Sequence, residues 1–130
     1  MWLPITGLIA GDISFIRSNP DTTITMPGNA AAPMTAGGYN AGNGSIYLNS
    51  SRGYTASGQV KPDFAAPGVN VIGPVPGNRF GARSGTSIAA AITAGAAALY
   101  LEWAVERGYN TDITNAEIKN DFIRGAVRLK

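Results

Sequence analysis

Arg83-Ser84-Gly85-Thr86-Ser87-Ile88-Ala89-Ala90-Ala91-Ile92-Thr93-Ala94-Gly95-Ala96-Ala97-Ala98 is the stretch from which the rest of the chain is best read. Ser84 and Thr86 are helix-capping residue types, Gly85 permits a sharp approach, and the alanine run is the best helix-forming composition available. The stretch predicts a helix that begins near Thr86 or Ser87 and continues to about Arg107, with Gly108 as its C-cap. Ser87 then lies in the first turn, where backbone N–H groups have no partner within the helix and carry the positive end of the macrodipole. Negative charge developing beside its hydroxyl would be stabilised there, which makes Ser87 the candidate nucleophile. The Ala and Gly lining lets other backbone come close on every side and suits a central, buried helix.

A second stretch upstream gives that hydroxyl its context. Lys61-Pro62-Asp63-Phe64-Ala65-Ala66-Pro67-Gly68-Val69-Asn70-Val71 contains Asp63, Ala66, Pro67 and Gly68, and the helix region contains Gly85, Thr86, Ser87, Ala89 and Gly95. The pair, at this separation, resembles the nucleophile region of the subtilisin-like serine proteases, in which an Asp-x-x-Ala-Pro-Gly stretch precedes Gly-Thr-Ser-x-Ala.

The resemblance implies an α/β chain, the C-terminal part of a three-layer subtilisin-like fold, with parallel strands packed beneath a central buried helix that starts at the nucleophile. It implies a serine endopeptidase, with a peptide or protein as substrate and no cofactor. A subtilase catalytic domain is about twice this length, and its triad Asp and His and its oxyanion Asn lie upstream of the motifs found here. The chain has 130 residues and no histidine. Residues 1–130 are therefore expected to be a partial catalytic domain, inactive alone, whose partner is the missing N-terminal half. The rival reading is a pseudoprotease or binding module that regulates a partner. Glu102-Trp103, Glu117-Ile118-Lys119 and Arg124-Gly125-Ala126 look most like the branch that includes spore-germination proteases, so the family implies a secreted, cell-envelope or spore-associated protein. Many subtilases carry Pro where Ala91 stands and His where Ile92 stands, and Ile92 is expected to change the packing behind the nucleophile.

Composition bounds the alternatives. Apolar residues make up 45% of the chain and charged residues 14%, a globular balance. The net charge of +2 comes from scattered Lys and Arg, which gives no footprint for nucleic acid or an anionic membrane. Without cysteine or histidine, disulfides and thiolate sites are excluded and no metal site is expected. The run Ile88–Leu101 is as apolar as a membrane span, but Glu102 ends it below the roughly 20 residues a bilayer requires, so a soluble core helix is expected. A sheet separated from its neighbours would expose an edge and an apolar face, so self-association is expected.

The remaining elements follow from local signals. Met1–Asp12 lacks a basic n-region and is broken by Pro4, Gly7 and Gly11, which argues against a signal peptide. Residues 2–15 read as one or two short strands, with Trp2 either in a core or on a bare surface. Ser18–Asp21 is a turn, Thr22–Met26 a strand and Pro27-Gly28 a turn. A short strand runs from Pro33 into Gly37-Gly38, a pair that either approaches substrate or only turns the chain. Asn40, Asn43 and Asn49 carry oxygens that calcium would accept, but turn formation accounts for them. Ser50-Ser51-Arg52-Gly53-Tyr54 resembles the family's Ser-x-Gly segment. Asp63 reads as a carboxylate accepting backbone N–H bonds in a tight turn, not as the triad acid. Val69–Ile72 is a strand, Pro74–Asn78 a loop, and Arg79–Arg83 the approach to Ser87. Thr114-Asn115-Ala116-Glu117 is a capping box opening a second helix, with Ile118, Phe122 and Ala126 on one face. Lys119, Arg124, Arg128 and Lys130 read as its solvated side.

Overall fold

The computed structural model describes residues 16–17 and 19–129. The expectations for residues 2–15, Ser18 and Lys130 fall outside the described residues.

The Gly pair and the Ala-Ala-Pro run become the two strands of a parallel pair. Strand β1 is Ala36–Tyr39 and β2 is Phe64–Pro67, in the register Ala36 to Phe64 through Tyr39 to Pro67. Gly37 and Gly38 therefore lie within a strand and are buried in it. A Cβ on Gly38 would stand 3.2 Å from the Tyr47 ring, so the pair lets the segment around Tyr47 lie flat on β1. Tyr47 N–H donates to Gly38 O, and Gly38 N–H donates to the buried Ser50 hydroxyl.

Val71–Val75 (β3) and Arg79–Arg83 (β4) form an antiparallel hairpin, with Val71 opposite Arg83 and Val75 opposite Arg79. This corrects the reading of Pro74–Asn78 as a plain loop. Pro74 and Val75 belong to β3, and the turn is closed by Gly77 and Asn78, both at positive φ (87° and 52°), which gives the twist a tight hairpin needs. Asn70 also has positive φ, 53°, so the strand begins at Val71 rather than Val69. Thr22–Met26 forms no strand. Thr22 sits at φ 58°, and the chain meets Arg52 only in an isolated bridge at Asp21 and in two bonds of Thr23, whose N–H donates to Arg52 O and whose hydroxyl accepts from Arg52 N–H. A β-branched run becomes a strand only where a neighbour supplies a ladder. The Pro27-Gly28 turn is present, closed by Ala30 N–H to Pro27 O.

Helix α1 spans Thr86–Leu101, starting where its sequence signals place it. Its cap is Gly85, which has no side chain to make a capping bond, and the Ser84 hydroxyl accepts from Asn70 N–H at 2.9 Å. The chain stays helical through a π-helical turn, Glu102–Glu106, and stops at Gly108 in the left-handed region (φ 70°). Glu102 therefore does not end the helix. The run Thr86–Glu106 is 21 residues, long and apolar enough by length and composition to cross a membrane, so length does not decide against that reading. α1 contacts both β1 and β2, with Ala89 fully buried and Thr93 nearly so. Burial is confined to that stripe, contrary to a helix enclosed on all sides. Leu99 remains 69% exposed, and Ile92, expected to pack behind the nucleophile, is 36% exposed.

Helix α2, Asn115–Gly125, opens with the expected capping box: Thr114 Oγ1 accepts from Glu117 N–H, and the Glu117 carboxylate accepts from Thr114 N–H at 2.8 Å. The Thr114 backbone and hydroxyl bonds hold the Glu117 carboxyl below its ordinary range. Ile118 is buried, and Phe122 packs against Phe64 and Tyr100 with ring centroids 5.6 and 6.1 Å away, while Ala126 lies past the helix end as its C-cap. Tyr100 also donates its hydroxyl to Asp121, which raises the phenol's pKa. These contacts join the far end of α1 to α2 and the start of β2. No large side chain among the described residues is fully enclosed, and Ile72 and Phe80 of the hairpin are more than 70% exposed. Each forgoes about 1.5–3 kcal/mol that full burial would contribute.

Candidate active site

The two sequence motifs meet at Gly68. Gly85 N–H donates to Gly68 O at 2.8 Å, and Gly68 N–H donates to Tyr39 O at 2.9 Å, so the glycine ties the end of β1 to the cap of α1. A Cβ at Gly68 would lie 3.0 Å from Gly85 O and 3.3 Å from Gly38 Cα, which explains the need for glycine there. The helix mouth is thereby pinned to the parallel strands.

Ser87 sits in the first turn beyond this pin, is exposed, and its hydroxyl makes no hydrogen bond to a described residue. Ile88 and Ala89 N–H already donate to Gly85 O. The Thr86 and Ser87 N–H groups, two residues earlier, have no carbonyl within the helix to accept from them. Ser84, the neighbouring hydroxyl, is occupied by Asn70.

Ser87 opens into a cleft of about 370 Å³. Thr86, Ser87 and Ala90 form one side, and residues 24–28, residues 33–37, Ser50, Ser51 and Pro62 form the rest. Gly37 lines this space from within β1 and not from a turn. Asn40, Asn43 and Asn49 do not line it. Asn40 and Asn43 accept from Gly42 and Ser45 N–H in side-chain turns, as their composition suggests.

Asp63 lies behind the cleft wall and not at Ser87. Its Oδ2 accepts from Thr35 N–H at 2.8 Å and from Lys61 Nζ at 2.7 Å, and its Oδ1 from Lys119 Nζ at 2.9 Å. The backbone bond fits a structural carboxylate, but its donor lies 28 residues away, which corrects the reading of a tight turn. Burial alone would raise its pKa, but the Lys61, Lys119 and Thr35 hydrogen bonds outweigh that and hold the carboxyl below its ordinary 3.8. The two lysines were not legible as partners. Lys119, read as part of a solvated face, is only 18% exposed and ion-paired, which corrects that reading, whereas Arg124 on the same helix is open to solvent. A buried lysine two residues before a buried carboxylate, Lys61-Pro62-Asp63, was the available signal.

A second hollow of about 350 Å³ lies along Tyr100, Trp103, Tyr109 and Asp121. It begins more than ten residues along α1 from Ser87, about 20 Å at 1.5 Å per residue, and its carboxylates are committed to Tyr100 and Thr114.

Residues 10–129 match the subtilase family of peptidases. The chain is 34% identical over 135 residues to serine protease AprX of Bacillus subtilis, covering 88% of this chain and 29% of that protein. It is 34% identical over 93 residues to C5a peptidase of Streptococcus pyogenes, covering 72% of this chain and 8% of that protein. Among solved structures it resembles the Clostridium perfringens CspB protease, with a TM-score of 0.82 and 32% identity over 87% of this chain and 25% of that one. The self-cleaved protease domain of PatA superposes with a TM-score of 0.64 and 28% identity, covering 78% of this chain and 36% of that one. The chain spans less than a third of the length of the curated relatives it matches. With its parallel strands, its helix opening on a serine and this match along nearly its whole length, the chain belongs to the subtilase family.

Proposed function

We propose that residues 1–130 are the C-terminal part of a serine endopeptidase domain and that Ser87 is its nucleophile. The observation that supports this most directly is the unoccupied Ser87 hydroxyl in the first turn of α1, facing the cleft. In the reaction Ser87 Oγ attacks a peptide carbonyl carbon and its proton passes to a histidine base. The Ser87 N–H donates to the resulting oxyanion. Collapse breaks the C–N bond, the amine leaves with the proton from histidine, and water then releases the acyl group from Ser87 by the same steps.

The chain has no histidine, and the family resemblance puts the base, the aspartate that orients it and the side-chain oxyanion donor in an upstream segment. The open side chains Ile72, Phe80 and Leu99 are surface for that segment to cover, or for self-association without it. The same reading carries the expectation of a secreted, cell-envelope or spore-associated enzyme.

The test is labelling by a fluorophosphonate, which requires both an activated nucleophile and an oxyanion site. Joined to the upstream segment of its gene, the chain should take one label on Ser87 and none on Ser84, and the Ser87→Ala variant should take none. A folded, joined protein that binds its partner equally well with and without the Ser87 hydroxyl, and takes no label, would establish the regulatory pseudoprotease reading instead.

A further inference from the structure

The wall of the cleft opposite Ser87 is held by a helix that does not touch the cleft. Residues 28–35 form a loop closed at its base by Thr35 Oγ1 donating to Gly28 O at 2.8 Å. Gly28 and residues 33–35 line the cleft, whereas Ala31 and Ala32 at the tip do not. The tip is bonded to α2: Asn115 Nδ2 donates to Ala32 O at 2.7 Å, and Lys119 Nζ to Ala31 O at 2.8 Å. Lys119 also pairs with Asp63 Oδ1 at 2.9 Å. The same carboxylate holds the base of the loop through Thr35 N–H and through Lys61, whose Nζ reaches Pro33 O at 2.8 Å.

We propose that Lys119 and Asn115 are positioning residues for substrate: by fixing the tip of the 28–35 loop directly, and its base through Asp63, α2 sets the distance between the cleft wall and Ser87. The Ala31 and Ala32 carbonyls at the tip have no helix or strand ladder of their own to fix them, since the loop belongs to neither. Their geometry depends on side chains 83 and 88 positions away in sequence. A lysine is suited to the task because one ammonium carries three donors and bridges a carbonyl and a carboxylate at once. Asp63 has its lone pairs filled from three directions, so displacement of any one partner is transmitted to the others.

The inference rests on the Ser87 reading, and its test separates the two. In the protein joined to its upstream segment, two phosphonates are compared: a small alkyl fluorophosphonate that occupies little of the cleft, and a peptidyl diphenylphosphonate that must lie along the wall. Lys119→Met should slow the peptidyl probe about tenfold more than the alkyl probe, since ångström-scale misplacement of a bound group costs up to roughly a hundredfold in rate. Lys119→Arg, which keeps charge and donors, should recover most of that loss. Asn115→Ala should shift the ratio of the two rates in the same direction by a smaller factor, and it serves where Lys119→Met fails to fold. Equal slowing of both probes, or no slowing of either, overturns the proposal. If the wild-type protein takes neither probe, the nucleophile reading falls, and amide exchange across residues 28–36 decides this one. Exchange about tenfold faster in Lys119→Met upholds the clamp, and unchanged exchange refutes it.

Discussion

Replacing Asp63 by Asn changes one oxygen to nitrogen and removes one charge, yet it should be among the most damaging single changes in this chain. Lys61 Nζ lies 2.7 Å from Asp63 Oδ2 with its side chain 2% exposed, and Lys119 Nζ lies 2.9 Å from Oδ1. An asparagine can present its oxygen to one of these ammonium groups only, and its NH2 then faces the other, donor against donor. Lys61 keeps Pro33 O and Thr35 Oγ1 as acceptors but loses its counter-charge in a nearly dry site. Leaving one partner of a buried ion pair uncompensated costs about 3–5 kcal/mol. Since Lys119 is partly open to water, the lower end, about 3 kcal/mol, is expected here. For a chain of this length that is a fall in Tm of roughly 10 °C. Urea unfolding of wild type and Asp63→Asn across a pH series is the assay. The folded-state pKa of Asp63 is depressed below 3.8, so its contribution is complete above that value and lost as pH falls through the lower, folded value. The gap between the two proteins should be full at pH 7 and close progressively at pH below about 4 as the wild-type carboxyl also neutralises. A gap under about 1 kcal/mol at pH 7, or one that does not shrink in acid, would refute the account of Asp63 as the charged hub of this network.

Two further outcomes test the framework around the site. Gly68→Ala places a Cβ 3.0 Å from Gly85 O, so it should cost about 1–3 kcal/mol in chemical unfolding and slow phosphonate labelling of Ser87 by displacing the mouth of α1. Labelling at the wild-type rate would show that the Gly68 pin does not set the position of Ser87. Thr114→Ala removes the hydroxyl half of the capping box, Oγ1 accepting from Glu117 N–H, while the Thr114 N–H bond to Glu117 remains; it should lower stability by about 1 kcal/mol with a loss of helical circular dichroism, whereas Thr114→Ser should retain most of both.

The sequence by itself determined the elements whose signals are local. The start of α1 near Thr86, the left-handed stop at Gly108, the Thr114–Glu117 box and the Pro27-Gly28 turn each depend on a few adjacent residues and their own backbone preferences. The pairing of the Ala-Pro-Gly and Gly-Thr-Ser motifs was likewise legible as a resemblance. What that pairing does was not, because the bond from Gly85 N–H to Gly68 O exists only once the chain is folded. Three readings failed for related reasons. Pro74–Asn78 carries loop composition, but Gly77 and Asn78 in the left-handed region let β3 and β4 meet across it. Thr22–Met26 has strand composition without a strand to pair with. Lys119 sits on the polar side of an amphipathic pattern, which periodicity assigns to water. The fold brings Asp63 and Ala31 to that side, and a counter-ion and a carbonyl within 3 Å offset the cost of taking the ammonium partly out of solvent. Helical period and capping act within a turn or two of one helix, whereas ion pairs and loop anchors are set by which surfaces the tertiary structure brings face to face.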